Sequence, residues 1–279
     1  ISKANLVTIF GAGVVGALAY TWSDTFWFSA VESEVYALSS LFTAIVFWAI
    51  LKWEAHADEP RADKWLLFIA YIMGLSIGIH LLNLLTIPAL AFVYYFRKTT
   101  KPTNAGIFKT FFIGILILAV IQYGIIQYLV SFGAYFDLFF VNTLGLGFGS
   151  GVITFALLVI GGLVWGIRYS IKHQKKILNL ALLSTVLIIF GYGSFAMIII
   201  RAKAHPNLNN SNPDNAFSFL SYLNREQYGD RPLLFGPNYN SEKTGIKEGK
   251  NIYRKGTDNY VVAGKKTDYE YDRLTPFPR

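Results

Sequence analysis

Apolar and polar residues divide this chain near residue 200. Up to that point long apolar runs follow one another, at roughly residues 6–22, 35–51, 65–96, 110–130, 152–167 and 178–200. Beyond it the sequence turns polar, with Asn, Pro, Gly, Lys and Asp throughout. A bilayer core of about 30 Å takes about 20 apolar residues in a helix, so most runs fit one crossing. The run at 65–96 is too long for one crossing and long enough for two short ones. Its middle, Gly78-Ile79-His80-Leu81-Leu82-Asn83, predicts a break, and Pro88 lies in its second half.

The tail follows other rules. Asn212-Pro213-Asp214-Asn215 combines capping side chains with an early Pro and marks a helix start. Phe217, Leu220 and Leu223 then recur at helical spacing, which predicts a helix over 216–227. Pro232, Gly236 and Pro237 punctuate the chain after it. Alternating stretches at 251–254, 260–263 and 268–271, separated by Gly-Thr-Asp and Gly-Lys-Lys, predict three small strands. The expected fold class is an all-α polytopic membrane protein with about seven transmembrane helices over residues 1–200. A small extracytoplasmic α+β tail covers 201–279. A tail of this size has a small core, so it is expected to pack on the membrane domain or on further sequence.

Charge placement sets the span count and the orientation. Residues 1–200 carry Lys3, Lys52, Arg61, Lys64, Arg97, Lys98, Lys101, Lys109, Arg168, Lys172, Lys175 and Lys176. With 65–96 read as a hairpin of two spans, all of these fall on one side. The opposite loops hold Asp24, Glu32, Glu34 and Asp137 and no Lys or Arg. The positive-inside rule makes the basic side cytoplasmic. The N-terminus is then cytoplasmic and the tail from Arg201 is periplasmic. The formal charge of +8 therefore belongs to membrane loops, and nucleic acid is not an expected partner.

Composition supports the same class. The chain is 53% hydrophobic and only 15% charged, against about 25% charged in an average soluble domain. It has no cysteine, which excludes disulfides, zinc–thiolate and iron–sulfur sites and a Cys nucleophile. The first residue is Ile1 and no signal-peptide pattern opens the chain. It reads as a piece of a longer protein.

One motif points elsewhere. Gly11, Gly13 and Gly16 fit a G-x-G-x-x-G fingerprint, with Glu32 and Glu34 downstream. A dinucleotide site needs a strand, a tight turn and an alternating βα pattern in a parallel sheet, and no such pattern follows. Small residues on an apolar helix are the ordinary means of close packing in lipid.

The candidate chemistry gathers in the outward loops. Asp24, Glu32 and Glu34 stand within one short stretch at a membrane edge, with Tyr36 next to the following span. Carboxylates suit general-base work on a hydroxyl or the holding of sugar hydroxyls; a solvated acidic loop is the alternative. His80 and Asn83 are three apart, hence on one helix face. They line a cavity for a phosphorylated head group or make interhelical hydrogen bonds. No partner stands at metal-ligand spacing, so no metal site is expected. Asp137 opens an aromatic, Gly-rich segment through Gly151, read as a gating loop or a plain connection. Arg201 emerges on the outward face, to meet a lipid-linked phosphate or to anchor the interface.

Three stretches carry a resemblance: SDTFWFSAVESEVYAL (23–38), GLSIGIHLLNLLTIPAL (74–90) and FLSYLNREQYGDRPLL (219–234). They resemble a bacterial multi-pass membrane family of unknown function that is similar to protein O-mannosyltransferases of the GT-C superfold. The resemblance implies a glycosyltransferase of the bacterial inner membrane. It would move a sugar, mannose by analogy, from a polyprenyl-phosphate donor to Ser/Thr hydroxyls of exported proteins, with no cofactor beyond that lipid-linked donor. For such a transfer the residues expected on the catalytic side are Glu34, Glu32 and Asp24, and those expected on the substrate side are His80, Asn83, Tyr36, Asp137 and Arg201. Family members carry an Asp-Ser-Gly-Glu-like stretch in an earlier loop, which is expected upstream of Ile1; Glu32 and Glu34 are then a second acidic element. A transporter or flippase, and a non-catalytic membrane subunit, are the rival classes. A transporter predicts internal repeats and broken helices near midplane, and no repeat is seen.

Overall fold

The computed structural model describes residues 2–229, 232 and 234–278. Ile1, Arg279 and, from the 219–234 stretch, Asp230, Arg231 and Leu233 lie outside the described residues. The chain is mostly helical. In order come α1 (Lys3–Thr21), α2 (Asp24–Val31), α3 (Tyr36–Ala55), α4 (Lys64–Ile77), α5 (Ile87–Lys98), α6 (Asn104–Ala119), α7 (Leu129–Asn142), α8 (Ser150–Lys172), α9 (Lys176–Tyr192), α10 (Ala196–Lys203) and α11 (Ala216–Leu223). The strands are β1 (Phe235–Gly236), β2 (Lys243–Lys255), β3 (Tyr260–Tyr271) and β4 (Thr275–Pro276).

Among the described residues five helices are long and apolar enough to cross a membrane: Lys3–Thr21, Tyr36–Ala55, Asn104–Asn142, Ser150–Lys172 and Lys176–Lys203. The third is helical throughout, with a π-helical stretch at Val120–Tyr128. The third apolar run, at 65–96, breaks where its sequence predicts. Gly78 ends α4, His80 is extended (φ −157°, ψ 134°), and a 3-10 turn over Leu81–Thr86 leads into α5. Pro88 sits at the start of α5, where its missing N–H has no intrahelical partner to lose. With 14 and 12 residues, α4 and α5 reach about 21 and 18 Å, each short of a full hydrocarbon core.

Two compact units emerge: Ile1–Leu118 with Tyr169–Ser194, and Ala119–Arg168 with Phe195–Arg279. In the first, α4 packs most extensively on α9. Glycine makes that approach possible. A Cβ on Gly74 would collide with the Ile188 carbonyl oxygen, and one on Gly191 would lie 2.6 Å from the Leu75 nitrogen. Gly74→Ala is therefore expected to lower the thermal midpoint in detergent micelles, at about 1–3 kcal/mol for forced overpacking. Gly193→Ala, whose Cβ meets nothing within 4 Å, leaves it unchanged. At the basic end of this unit, Arg97 pairs with Asp58 and donates from Nε to the Glu54 carbonyl (3.0 Å), while Lys98 donates to the Ala57 carbonyl (2.8 Å). The hydrogen bond from Arg97 holds the Asp58 carboxyl below its ordinary range.

In the second unit the tail packs on α7. Ala134 and Val141 of α7, Phe217 of α11 and Tyr260 of β3 form one buried cluster, flanked by Leu138, Phe148, Leu220 and Tyr253. Helix α11 starts as its sequence predicts. Asn215 Oδ1 accepts from the N–H groups of Phe217 and Ser218 (3.1 Å each), and Ser218 Oγ accepts from the Asn215 N–H (3.2 Å). It ends at Leu223, earlier than expected, because Arg225 turns left-handed (φ 54°) into a 3-10 turn. The three expected strands are two. Stretches 260–263 and 268–271 both lie in β3, because Gly264 and Lys265 stay paired, opposite Ile252 and Asn251. The ribbon meets solvent along most of its length, so a Gly-Lys-Lys interruption of the alternation carries no burial cost.

Candidate functional site

The acidic loop belongs to the first unit. Asp24 opens α2, where a carboxylate complements the helix dipole. Glu32 follows the last residue of that helix, and its carbonyl accepts the Glu34 N–H at 2.8 Å, so a tight turn leads into α3. All three carboxylates are exposed, and no side-chain partner to them is seen among the described residues. Trp22 and Trp27 stack beside them with ring centroids 5.4 Å apart, an aromatic pair of the kind that sits at membrane interfaces.

Two residues on, Tyr36 meets His80: their rings lie 5.6 Å apart, tilted by 57°. The start of α3, two residues from Glu34, thus adjoins the break between α4 and α5. His80 Nδ1 accepts the Leu82 N–H (3.2 Å). A neutral ring with Nδ1 as acceptor carries its proton on Nε2, leaving an N–H to donate.

His80 is half-buried and Asn83 lies deeper. His80 is extended ahead of a 3-10 turn rather than within an α-helix, so the expected common helical face is absent. Asn83 is completely buried and meets Thr43 of α3, with Thr43 Oγ1 3.2 Å from Oδ1. Thr43 has one hydroxyl proton, and the Ser39 carbonyl also accepts it, at 3.0 Å. With the proton on that carbonyl, the Asn83 amide turns and donates to Thr43 Oγ1 instead. Either way Asn83 bonds one segment of the bundle to another.

Asp137 and Arg201 belong to the second unit. Asp137 is buried and its carboxylate is occupied. The Gly149 N–H donates to Oδ1 and Oδ2 (2.9 and 3.0 Å), the Gly151 N–H to Oδ1 (3.0 Å) and the Tyr260 O–H to Oδ2 (2.7 Å). It caps the N-terminus of α8 from a distance, where unpaired N–H groups and the helix dipole favour an anion. Gly149 has φ +90°, and a Cβ on Gly151 would collide with the backbone of Asp137; the Gly-rich composition of this loop is what the carboxylate needs. Asn142 completes the clamp. Its amide donates to the Tyr260 carbonyl (2.7 Å) and accepts the Tyr260 N–H (2.9 Å). Burial, then the bond to Asp137, raises the Tyr260 hydroxyl well above its ordinary value of 10.0. Arg201 lies exposed in the last turn of α10, where a cation suits the dipole, and makes no ion pair among the described residues.

One feature of this unit has no signature in the sequence. A cleft of about 740 Å³ lies between α7, the 211–226 segment and β2. Its lining is polar, with Ser131, Asp214, Ser221, Asn224 and Glu226 among the walls. Burial opposes ionisation of Glu226, but hydrogen bonds from Lys266 and Ser221 outweigh it and lower its carboxyl. The lining comes from segments far apart in sequence, so no local motif marks it. Among the described residues no group of His, Cys, Asp and Glu could hold a metal ion.

Several apolar helices of membrane length, with polar side chains gathered in the connections, define a membrane protein of helical class. Residues 1–103 match the family model of the protein O-mannosyl-transferase TMEM260 N-terminal domain, so this part of the chain is similar to protein O-mannosyltransferases. Residues 229–279 match a family of unknown function (DUF8416). No curated protein and no solved structure matches the chain.

Proposed function

We propose that this chain is a membrane glycosyltransferase. It moves a sugar, mannose by the family likeness, from a polyprenyl-phosphate donor to Ser/Thr hydroxyls of exported proteins. The match of residues 1–103 to an O-mannosyl-transferase domain carries the reading. The contact between Tyr36 and His80 supports it, since it joins the acidic loop to the α4–α5 break within that same stretch.

In this reading Glu34 accepts the proton of the attacking hydroxyl. The acceptor oxygen bonds to the anomeric carbon, the bond from that carbon to the phosphate oxygen breaks, and the lipid phosphate leaves with the electron pair. Glu32 and Asp24 hold sugar or acceptor hydroxyls. The Nε2–H of His80 donates to the donor head group, with Tyr36 packed against its ring and Asn83 fixing the turn behind it. Arg201 offers a cation to a lipid phosphate, and Asp137 shapes the loop before α8. The fold is a GT-C-like bundle of about seven spans in a bacterial inner membrane, α4 and α5 forming a hairpin of short crossings. The N-terminus is cytoplasmic and the tail periplasmic.

The absence of native cysteine gives a clean background for testing this topography. Single cysteines at positions 32, 80 and 240 are expected to react with a membrane-impermeant maleimide in intact spheroplasts. Cysteines at 58, 101 and 174 are expected to react only after lysis. Labelling of 32 and 80 from opposite faces excludes a shared reaction chamber.

A further inference from the structure

We propose that the cleft of the second unit binds an extended, net-acidic polypeptide segment rich in hydroxyl side chains, by strand addition to β2. Every residue from 250 to 256 lines the cleft, whereas β3 contributes only Lys266. A cavity over the face of a sheet meets every second residue of a strand, since side chains alternate. Consecutive lining means that the cleft reaches the strand's edge as well as the face on which Tyr253 packs against Phe217. That edge is open: among the described residues β2 pairs with β3 alone. Alternate N–H and C=O groups along its other side therefore lack a ladder partner and offer a template for a further strand. The register slips between Glu248 and Asn251 and again between Ile252 and Tyr253. Such bulges re-aim side chains and are frequent beside binding sites.

The opposite wall suits small polar side chains. Ser221 and Asn224 of the α11 segment and Ser131 of α7 supply hydroxyl and amide groups. Of the two acidic lining residues, Glu226 is already held by Lys266 at 2.9 Å. Asp214 makes no ion pair among the described residues, but neither do Lys250, Arg254 and Lys255, which line the same cleft, so the net unmatched charge is positive. The six lining residues of β2, 250–255, span about 20 Å, enough for five or six residues of peptide. The cleft is read from its geometry alone. Its assignment to the acceptor, a hydroxyl-bearing polypeptide, rests on the transferase reading.

The test uses the whole chain in detergent micelles and a fluorescein-labelled decapeptide of Ser, Thr, Ala and Asp. Fluorescence anisotropy is expected to show saturable binding. Methylation of alternate peptide nitrogens removes the strand-forming N–H groups and is expected to weaken binding at least roughly tenfold. The exposed double variant Lys250→Glu with Arg254→Glu has a similar effect at unchanged circular dichroism. Three results overturn the proposal: no saturation up to about 1 mM peptide, binding of the methylated peptide within twofold of the parent, or displacement of the peptide by methyl mannoside, which makes the cleft a sugar site. Binding without sugar transfer by the complete wild-type protein sinks the transferase reading and keeps the cleft; transfer without binding here does the reverse.

Discussion

Glu34→Gln in the complete protein is expected to abolish sugar transfer while leaving the helical bundle intact. Gln preserves the size of the side chain and removes both its charge and its capacity to take a proton. General-base catalysis contributes about 10²–10⁴-fold, so the loss of product from a radiolabelled polyprenyl-phosphate sugar falls in that range. Stability is unaffected because Glu34 is exposed and no side-chain partner to it is seen among the described residues; such surface changes stay within about 0.5 kcal/mol. Circular dichroism and the thermal midpoint therefore match wild type. Glu32→Gln and Asp24→Asn, which in this reading hold hydroxyls, raise the acceptor or donor KM more than they lower kcat. Normal transfer by Glu34→Gln removes this residue from the chemistry and leaves residues 23–36 as a solvated acidic loop.

Asp137→Ala has the largest expected structural effect. It removes the acceptor of the Gly149 N–H, the Gly151 N–H and the Tyr260 O–H at once. The Gly151 and Tyr260 donors are buried, and each one left unsatisfied costs about 1–3 kcal/mol, so the second unit loses at least about 2 kcal/mol. Limited proteolysis is expected to cut first between residues 143 and 149. Tyr260→Phe removes one donor only, for about 1 kcal/mol, and isolates a pH effect. The Tyr260 hydroxyl titrates at its ordinary value of 10.0 in the unfolded chain and higher in the folded one. Its contribution is therefore complete below pH 10 and declines as pH rises above that value. Wild type is expected to lose midpoint temperature over this alkaline range more steeply than Tyr260→Phe. Equal slopes show that the phenol bond to Asp137 does not hold the tail.

The two outcomes separate chemistry from architecture, and the sequence treats them differently. The break in the run at 65–96 is legible because Gly78, His80, Asn83 and Pro88 interrupt an apolar stretch, and local interruption is what the backbone responds to. The start of α11 is legible for the same reason: Asn215 and Ser218 satisfy each other's N–H groups within one turn. The spacing of His80 and Asn83 misleads, since three residues apart means one face only inside an α-helix. An extended His80 sends the two side chains to different surroundings. The strand count misleads too, because Gly264-Lys265-Lys266 resembles a turn in one dimension and is held in the ladder by residues 251 and 252.

By itself, the sequence determined the apolar helices, the hairpin break, the capped tail helix and the concentration of carboxylates in one loop, all of which depend on neighbours within a few residues. Tertiary structure alone decided that Asp137 meets Tyr260 across more than a hundred residues, that Tyr36 meets His80, and that β2 presents an open edge to a polar cleft. Those contacts depend on which surfaces are brought together by burial of apolar area and by glycine-permitted close approach, and no local pattern encodes the partner.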